Sequence, residues 1–152
     1  MASLARKRMA ASALFRDDAG RVLLVDPVYK PGWDLPGGAV EEEESPMAAC
    51  RREVAEELGL TRQAGRILAV DWVPSRPERP EGLIVVFDGG VLTGTEITAI
   101  VIQDDELARF EFVPPAEVPV RVSPLLGRRI SASLGAVADR VPVALENGVR
   151  IC

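Results

Sequence analysis

Three glutamates, Glu53, Glu56 and Glu57, have a spacing that would bring their carboxylates together on one face of a helix. Because a helix advances by about 100° per residue, the three side chains fall within an arc of roughly 100°. A separate arc is apolar and holds Met47, Cys50, Val54 and Leu58. The charges lie in the C-terminal half, where the helix dipole favours cations, and each like-charged neighbouring pair costs roughly 0.2–0.5 kcal/mol. The pattern is reasonable if a divalent cation lies between the carboxylates, because Mg²⁺ and Mn²⁺ prefer oxygen ligands.

Capping residues mark both ends of this acidic helix. Ser45 can accept a hydrogen bond from the first turn, and Pro46 suits the first helical position. Gly59 stands where a left-handed residue commonly ends a helix. The sequence therefore predicts a helix from about Pro46 to Leu58.

The segment before the helix also favours a ligand site. Residues 33–38 form a rigid turn whose paired glycines let the backbone approach a ligand closely, and residues 41–44 add four more carboxylates. The plainer alternative is a solvated acidic helix face on which Arg52 pairs with Glu56 four residues away. The turn and the additional carboxylates favour the ligand site over this alternative.

At these positions the chain resembles the Nudix hydrolases. The signature of that family is Gly, five residues, Glu, seven residues, Arg-Glu, an aliphatic residue, any residue, Glu-Glu, any residue, Gly and an aliphatic residue. It reads here as Gly38, Glu44, Arg52-Glu53-Val54, Glu56-Glu57 and Gly59-Leu60, with no departure at any defined position. The resemblance implies hydrolysis of a phosphoanhydride by attack of water on phosphorus, with Mg²⁺ or Mn²⁺ as the cofactor.

The resemblance also assigns roles to individual residues. Glu53, Glu56 and Glu57 would bind the metal, helped by the backbone carbonyl of Gly37. Arg52 would orient the glutamates through charge-assisted hydrogen bonds, although direct contact with a substrate phosphate is an alternative.

The general base is less clearly indicated, because family members divide that role differently. Glu44 and Glu53 are both candidates, and so is a carboxylate from a later segment. Glu111 alternates with two phenylalanines in a predicted strand, just before an aromatic-aliphatic pair where some Nudix nucleotide hydrolases carry a metal-binding glutamate. Glu106 lies in a predicted loop and could swing in as a base. We favour Glu111 on sequence grounds.

The signature specifies the hydrolytic residues and leaves the substrate open. A nucleoside triphosphate, ADP-ribose or a nucleotide sugar would each suit it. Arg76 and Arg79, in a loop with three prolines, could reach substrate phosphates or could be solvated charges. Four aromatic residues could either stack on a base or fill the core: Tyr29, Trp33, Trp72 and Phe87.

Two other functions compete with hydrolysis. A Nudix-like nucleotide-sensing module without turnover is disfavoured, because such modules usually lose signature carboxylates and this chain keeps all of them. An isomerase related to isopentenyl-diphosphate isomerase would use metal-binding histidines, and this chain contains no histidine.

Composition bounds the remaining possibilities. A chain of 152 residues with 47% hydrophobic content suits a single domain over residues 1–152, and a net charge of −5 argues against nucleic-acid binding. No apolar run approaches the roughly 20 residues that span a bilayer, and the basic start lacks the apolar stretch of a signal peptide. We therefore expect a cytoplasmic protein that does not associate with membranes. Cys50 is predicted to be a core residue and Cys152 a frayed terminus, and the sequence leaves open whether the domain forms a homodimer.

The pattern along the chain predicts strands mixed with two helices. A second amphipathic helix is predicted from Leu125 to about Ala138, and residues 141–152 could form a last strand. The predicted strands are Met9–Phe15, Val22–Val25, Ile67–Val73, Leu83–Asp88, Glu96–Ile102 and Phe110–Val113. We expect an α/β fold with helices on both faces of a mixed sheet, which is the Nudix α/β/α sandwich that the resemblance implies.

Overall fold

The computed structural model describes residues 3–103 and 105–151, and within them eight strands form one mixed sheet. The strands are β1 (Arg8–Arg16), β2 (Val22–Pro27), β3 (Gly37–Ala39), β4 (Ile67–Val73), β5 (Gly82–Val91), β6 (Leu107–Val113), β7 (Val143–Glu146) and β8 (Val149–Arg150). The helices are α1 (Pro46–Leu58), α2 (Gly94–Thr98), α3 (Val118–Arg121) and α4 (Pro124–Asp139), and a 3-10 turn at Pro115–Glu117 precedes α3.

The strands are ordered β6-β2-β1-β5-β4-β7-β8, and β3 pairs with β1 outside this path. β1 and β5 are parallel, as are β4 and β7, whereas the other pairs are antiparallel. The short β3 lies beside the first half of β1, where Ala10, Ala11 and Ser12 are opposite Ala39, Gly38 and Gly37. This pairing brings the glycine turn onto the sheet.

Two hydrophobic cores lie on opposite faces of the sheet, as alternation along β1 requires. Ala13 and Phe15 face the core that α1 covers, and Leu14 between them faces the core that α4 covers. Phe15 and Leu14 are both fully buried, and burial of each stabilises the fold by about 2 kcal/mol. The predicted α/β/α sandwich with a mixed sheet is confirmed.

Both long helices begin at serine caps. Ser45 Oγ accepts from the backbone N–H of Ala48 at 3.1 Å, and α1 ends at Gly59 in the left-handed conformation with φ of 67°. The predicted bounds of α1 are therefore confirmed. Ser123 caps α4 in the same way, and α4 is one residue longer at each end than predicted.

The predicted strand Glu96–Ile102 is wrong. Thr93 and Glu96 form a reciprocal capping box, in which Thr93 Oγ1 accepts from the N–H of Glu96 and Glu96 Oε1 accepts from the N–H of Thr93. This local pairing starts the short helix α2 instead. Strand β6 starts at Leu107, three residues before the predicted start, and the C-terminal segment forms the hairpin β7-β8.

Cys50 is a fully buried free cysteine, as predicted, and its burial raises the pKa of the thiol to about 12. Cys152 lies outside the described residues. Within the part of the chain that the structure describes, no helix has the length and apolar character needed to cross a membrane.

Candidate active site

The glycine turn and α1 meet at two glutamates. The backbone N–H of Gly37 donates to Glu57 Oε2 at 3.3 Å, and Glu57 is only 7% exposed. A Cβ atom added to Gly38 would lie 2.5 to 2.9 Å from the carboxylate atoms of Glu53. The two carboxylates therefore converge on the backbone of residues 37 and 38. The carboxylate of Glu53 occupies the space that a side chain at position 38 would need, so this position requires glycine.

Arg52 binds three of the glutamates that the sequence singles out. Its Nε and Nη2 donate to the two carboxylate oxygens of Glu44 at 2.8 and 2.9 Å, and its Nη1 donates to Glu53 Oε1 at 2.9 Å. Nη1 also donates to Glu56 Oε2 at 3.3 Å, and Nη2 donates to the carbonyl of Ala39 at 3.1 Å. With its donors used in this way, Arg52 is suited to orient the carboxylates and less suited to contact a substrate.

The ion pair with Arg52 changes the acidity of Glu44. Hydrogen bonds from the guanidinium, and a further one from the backbone N–H of Glu41, lower the pKa of Glu44 to about 2. The same contacts with Glu44 raise the pKa of Arg52. A carboxylate with so low a pKa is a weak proton acceptor at neutral pH, so Glu44 is better suited to hold Arg52 than to activate water.

The oxygen donors at this turn fit Mg²⁺ or Mn²⁺. Such ions are commonly bound by one or two carboxylates together with water and substrate phosphates. Glu53 and Glu57 supply two converging carboxylates, whereas the side chain of Glu56 is 55% exposed at the rim. Across residues 3–103 and 105–151, no three acidic or cysteine side chains are grouped so that they could hold a metal ion by themselves. The arrangement therefore suits an ion that is completed by water and phosphate.

The structure does not bring Glu111 to the other predicted site residues. Phe110 and Phe112 pack against the core on the α1 face of the sheet, so the alternating Glu111 lies on the opposite face, level with Leu24 of β2. Its two carboxylate oxygens accept from the Nη atoms of Arg121 at 2.9 and 3.0 Å. The alternation in the sequence correctly predicted that Glu111 faces away from the phenylalanines. Because the phenylalanines lie on the face of the sheet that α1 covers, Glu111 lies on the face opposite α1.

The loop that carries Glu106 is attached to the α1 side of the site. The carbonyl of Glu106 accepts from the N–H of Val28 at 2.8 Å, and the N–H of Gln103 donates to the carbonyl of Glu57 at 3.1 Å. Burial raises the pKa of the Tyr29 phenol, and the charges of Glu106 and Glu57 add to this effect.

A cleft of about 380 Å³ opens beside the glycine turn. Its walls come from the turn, the start of β1, the β4–β5 loop and the first half of α4. Gly37 and Gly38 contact the α1 glutamates and also line the cleft, so a ligand in the cleft would touch the backbone that holds these carboxylates.

Of the four candidate aromatic residues, Tyr29 is placed to contact a ligand. It lines the cleft and is 65% exposed. Trp33 also lines the cleft, but the guanidinium groups of Arg109 and Arg121 lie 5.1 and 5.2 Å from its ring centre. The other two aromatic residues do not line the cleft: Trp72, which donates to Glu81, and the buried Phe87.

Basic residues line the end of the cleft away from α1. Arg76 and Arg79 do so, as the sequence suggested they could, and they are joined by Arg8 and Arg129, which sequence reasoning missed. The sequence does contain a pattern that could have indicated Arg8. Arg8, Ala10 and Ser12 alternate across the start of a predicted strand, so they share one face, and two of them are small.

The family of the chain follows from comparison with known proteins. The model of the NUDIX domain matches residues 6–132, which include every part of this site described so far. The chain belongs to the Nudix hydrolases. Diphosphoinositol polyphosphate phosphohydrolase 2 of Rattus norvegicus is 44% identical to it over 66 residues, 42% of this chain and 37% of that protein. The chain thus matches less than half the length of this curated relative.

Two solved structures share the fold. A UDP-X diphosphatase superimposes with a TM-score of 0.76 at 22% identity, covering 95% of this chain and 69% of that one. An ADP-ribose pyrophosphatase of Streptococcus suis 89-1591 superimposes with a TM-score of 0.67 at 20% identity, covering 93% and 99%. At these identities the likeness concerns the fold alone.

Proposed function

We propose that this Nudix hydrolase uses Mg²⁺ or Mn²⁺ to cleave a phosphoanhydride in a nucleoside diphosphate linked to another group. The observation that supports this most directly is the convergence of Glu53 and Glu57 on the glycine turn at the edge of the cleft. A phosphoanhydride placed in the cleft would meet the turn whose backbone these carboxylates contact. Water would attack phosphorus, so the reaction is a substitution.

Each residue at the turn has a distinct part in this proposal. A bound divalent ion would neutralise phosphate charge and make a coordinated water more acidic. Glu53, Glu56 and Glu57 would hold the ion, with the carbonyl of Gly37 as a helper. Arg52 holds Glu53 and Glu56 in place and is itself held by the bidentate pair with Glu44.

Several carboxylates are candidates to accept the proton from the attacking water. Glu44 is a weak base because its pKa is about 2. Both carboxylate oxygens of Glu111 accept from the guanidinium of Arg121. These two observations favour Glu106 of the loop, with Glu53 as the alternative within the signature.

The proposed substrate class is based on the similar proteins. The names of the similar proteins refer to diphosphoinositol polyphosphate, UDP-X and ADP-ribose, so each involves a diphosphate attached to a different group. We therefore propose a small-molecule diphosphate conjugate, such as a nucleotide sugar, ADP-ribose or a nucleoside triphosphate. We further propose that the chain is a single domain that acts in the cytoplasm, on neither nucleic acid nor membrane, and the net charge of −5 supports the absence of a nucleic-acid partner.

A phosphate-release screen over nucleotides and nucleotide conjugates, with Mg²⁺ and with Mn²⁺, tests this proposal. We expect turnover that stops in EDTA, and reaction in ¹⁸O-labelled water should place the label in a phosphate-containing product. Binding of conjugates without turnover would support the sensing alternative instead. Label found only in a fragment without phosphate would reject attack on phosphorus.

A further inference from the structure

Three arginines from three separate elements meet at the end of the cleft away from α1. Arg8 comes from the start of β1, Arg79 from the β4–β5 loop and Arg129 from α4. All three line the cleft, and Arg76 lies beside them on the same loop. We call Arg8, Arg79 and Arg129 the arginine cluster.

The arginine cluster and Arg76 together carry more positive charge than Asp71 and Glu78, which also lines the cleft, can neutralise. Asp71 accepts from Arg129 Nε at 2.8 Å and is fully buried, so it compensates Arg129. Among the described residues, Arg8 and Arg79 form no ion pair with a carboxylate within 4.0 Å. The Nε of Arg8 is buried and has no hydrogen-bond partner in that part of the chain.

The pKa of Arg8 shows that its surroundings disfavour the protonated guanidinium. Its pKa is lowered, first because the side chain is partly buried and then because of the nearby charges of Arg79 and Arg129. Like charges held together in a partly desolvated place destabilise a fold unless an anion joins them. A guanidinium that lines a cleft, lacks a carboxylate partner and has an unsatisfied N–H is therefore suited to an anionic ligand.

The strand register gives the distance between the cluster and the reacting end of the cleft. Arg8, Ala10 and Ser12 share one face of β1, and Ser12 lies opposite Gly37 while Ala10 lies opposite Ala39. With a rise of about 3.3 Å per residue, the backbone of Arg8 is roughly 7 to 13 Å from these pairs. The guanidinium lies near Gly82, the residue opposite Arg8 on β5, and so does not fold back toward the turn.

We propose that the arginine cluster binds a second phosphate group of the substrate, separated from the phosphoanhydride that is cleaved at the glycine turn. The inference rests on the proposed function and narrows it. The preferred substrates are phosphoanhydrides that carry a further phosphate group, and diphosphates joined to an uncharged sugar are poorer substrates. The small side chains of Ala10 and Ser12 leave room for a ligand that extends through the cleft from the glycine turn to the arginine cluster.

Binding of inositol hexakisphosphate in EDTA tests the cluster without any hydrolysis, because this probe has phosphate groups but no phosphoanhydride. Isothermal titration should show binding to the wild-type protein. Arg8→Gln and Arg79→Gln should each weaken it at least tenfold. Arg140→Gln removes the same charge at an exposed position outside the cleft and should change the affinity less than twofold. Equal losses in all three variants, or no binding by the wild type, would overturn the inference.

Thermal unfolding of the same variants guards against misfolding. Because Arg8 and Arg79 have no carboxylate partner, their removal should leave the Tm unchanged or raise it in the absence of anion. The probe should raise the Tm of the wild type and of Arg140→Gln more than that of the two cluster variants. A lowered Tm together with unchanged affinity in Arg8→Gln would instead assign this residue a purely structural role.

A matched pair of substrates tests the specificity. ADP-ribose and ADP-ribose 2′-phosphate share the same phosphoanhydride and differ by one phosphate. We expect at least a tenfold higher kcat/KM for the phosphorylated compound, falling to within about threefold of ADP-ribose in Arg79→Gln. Equal kcat/KM values in the wild type would refute the second-phosphate assignment. Hydrolysis of neither compound, with cluster-dependent binding of the probe, would refute the proposed reaction on these conjugates and support the anion site.

Discussion

At the scale of single residues, the site depends on how one arginine distributes its donors among carboxylates. Arg52 uses two nitrogens on Glu44 and a third on Glu53 and Glu56. A lysine has a single compact ammonium and cannot reproduce this fork, so exchange of the two residues is not conservative here. The carboxylates that would carry a metal are consequently held by a residue that need not touch the substrate.

Replacement of Arg52 by lysine should therefore lower kcat at least tenfold and change KM less than threefold. The physical reason is that Glu53 and Glu56 lose their common donor while the cleft that binds the substrate is unchanged. Steady-state kinetics with the substrate found in the screen measures both constants. A raised KM with unchanged kcat would show that Arg52 binds the substrate directly.

Glu44 gives a pH-dependent prediction. Its folded-state pKa of about 2 lies below the ordinary value of 4.5, so the stability it contributes is present above about pH 4.5 and is lost as the pH falls toward 2. Glu44→Gln should unfold at a lower temperature than the wild type at pH 7. The difference between the two melting temperatures should shrink as the pH is lowered from 5 to about 2. A difference that is constant with pH would contradict the proposed ion pair.

The two candidate bases outside the signature can be compared directly. Glu106→Gln should lower kcat about a hundredfold, a loss of about 2.7 kcal/mol in transition-state stabilisation. Glu111→Gln should leave kcat within about threefold, because both carboxylate oxygens of Glu111 accept from Arg121. The opposite pattern of rates would restore the assignment that the sequence favoured.

At the scale of elements, the glycine turn and α1 act as one unit, because each glycine solves a different steric problem. A Cβ on Gly37 would come within 2.2 Å of the backbone oxygen of Ala11 on β1, and the φ of Gly37 is 152°. The three atoms nearest to a Cβ on Gly38 would all belong to the carboxylate of Glu53, which is a side chain and not backbone. The first glycine therefore lets β3 pair with β1, and the second leaves space for a carboxylate.

These two glycines should respond differently to the same substitution. Gly37→Ala should lower the Tm markedly, because backbone atoms must move to relieve the contact. Gly38→Ala should change the Tm by only a few degrees but should lower kcat at least tenfold, since it displaces the carboxylate of Glu53. Thermal unfolding and kinetics on both variants measure the contrast. Equal effects on stability would contradict it.

At the scale of the whole molecule, the sandwich brings the α1 glutamates to the glycine turn that lines one end of the cleft and places the arginine cluster at the other end. The glutamates of α1 reach the turn from one face of the sheet, and the arginine cluster approaches from the side that α4 covers. A metal at the first end would relieve the repulsion between carboxylates, and an anion at the second end would relieve the repulsion between arginines. The folded state should therefore gain stability from both kinds of ligand.

Millimolar Mg²⁺ or Mn²⁺ should raise the Tm of the protein. Binding linkage contributes about 2.7 kcal/mol when the free metal is at a hundred times its Kd. Glu57→Gln should remove most of this gain, because Glu57 is buried against the turn. Equal melting temperatures in EDTA and in metal would count against the metal site.

The sequence by itself determined the parts of the protein that depend on neighbouring residues. The bounds of α1, the common face of its glutamates and the role of Ser45 follow from helical period and capping, which act over a few residues. The family and the mixed α/β sandwich were also predicted, because the signature is specific and the alternation of strands and helices is clear.

Only the tertiary structure decided which distant residues share a face. Pairing of β2 with β6 separates Glu111 from α1, and pairing of β1 with β3 and β5 brings Arg8 to the cleft. The side chain of a strand residue changes face with each shift of one position, so its neighbours depend on register and on the layer that covers each face. Register and layer arise from contacts between residues far apart in the chain, which local pattern does not record. For the same reason, the position of Arg129 beside the other two arginines depends on the packing of α4 against the sheet, which the sequence pattern does not specify.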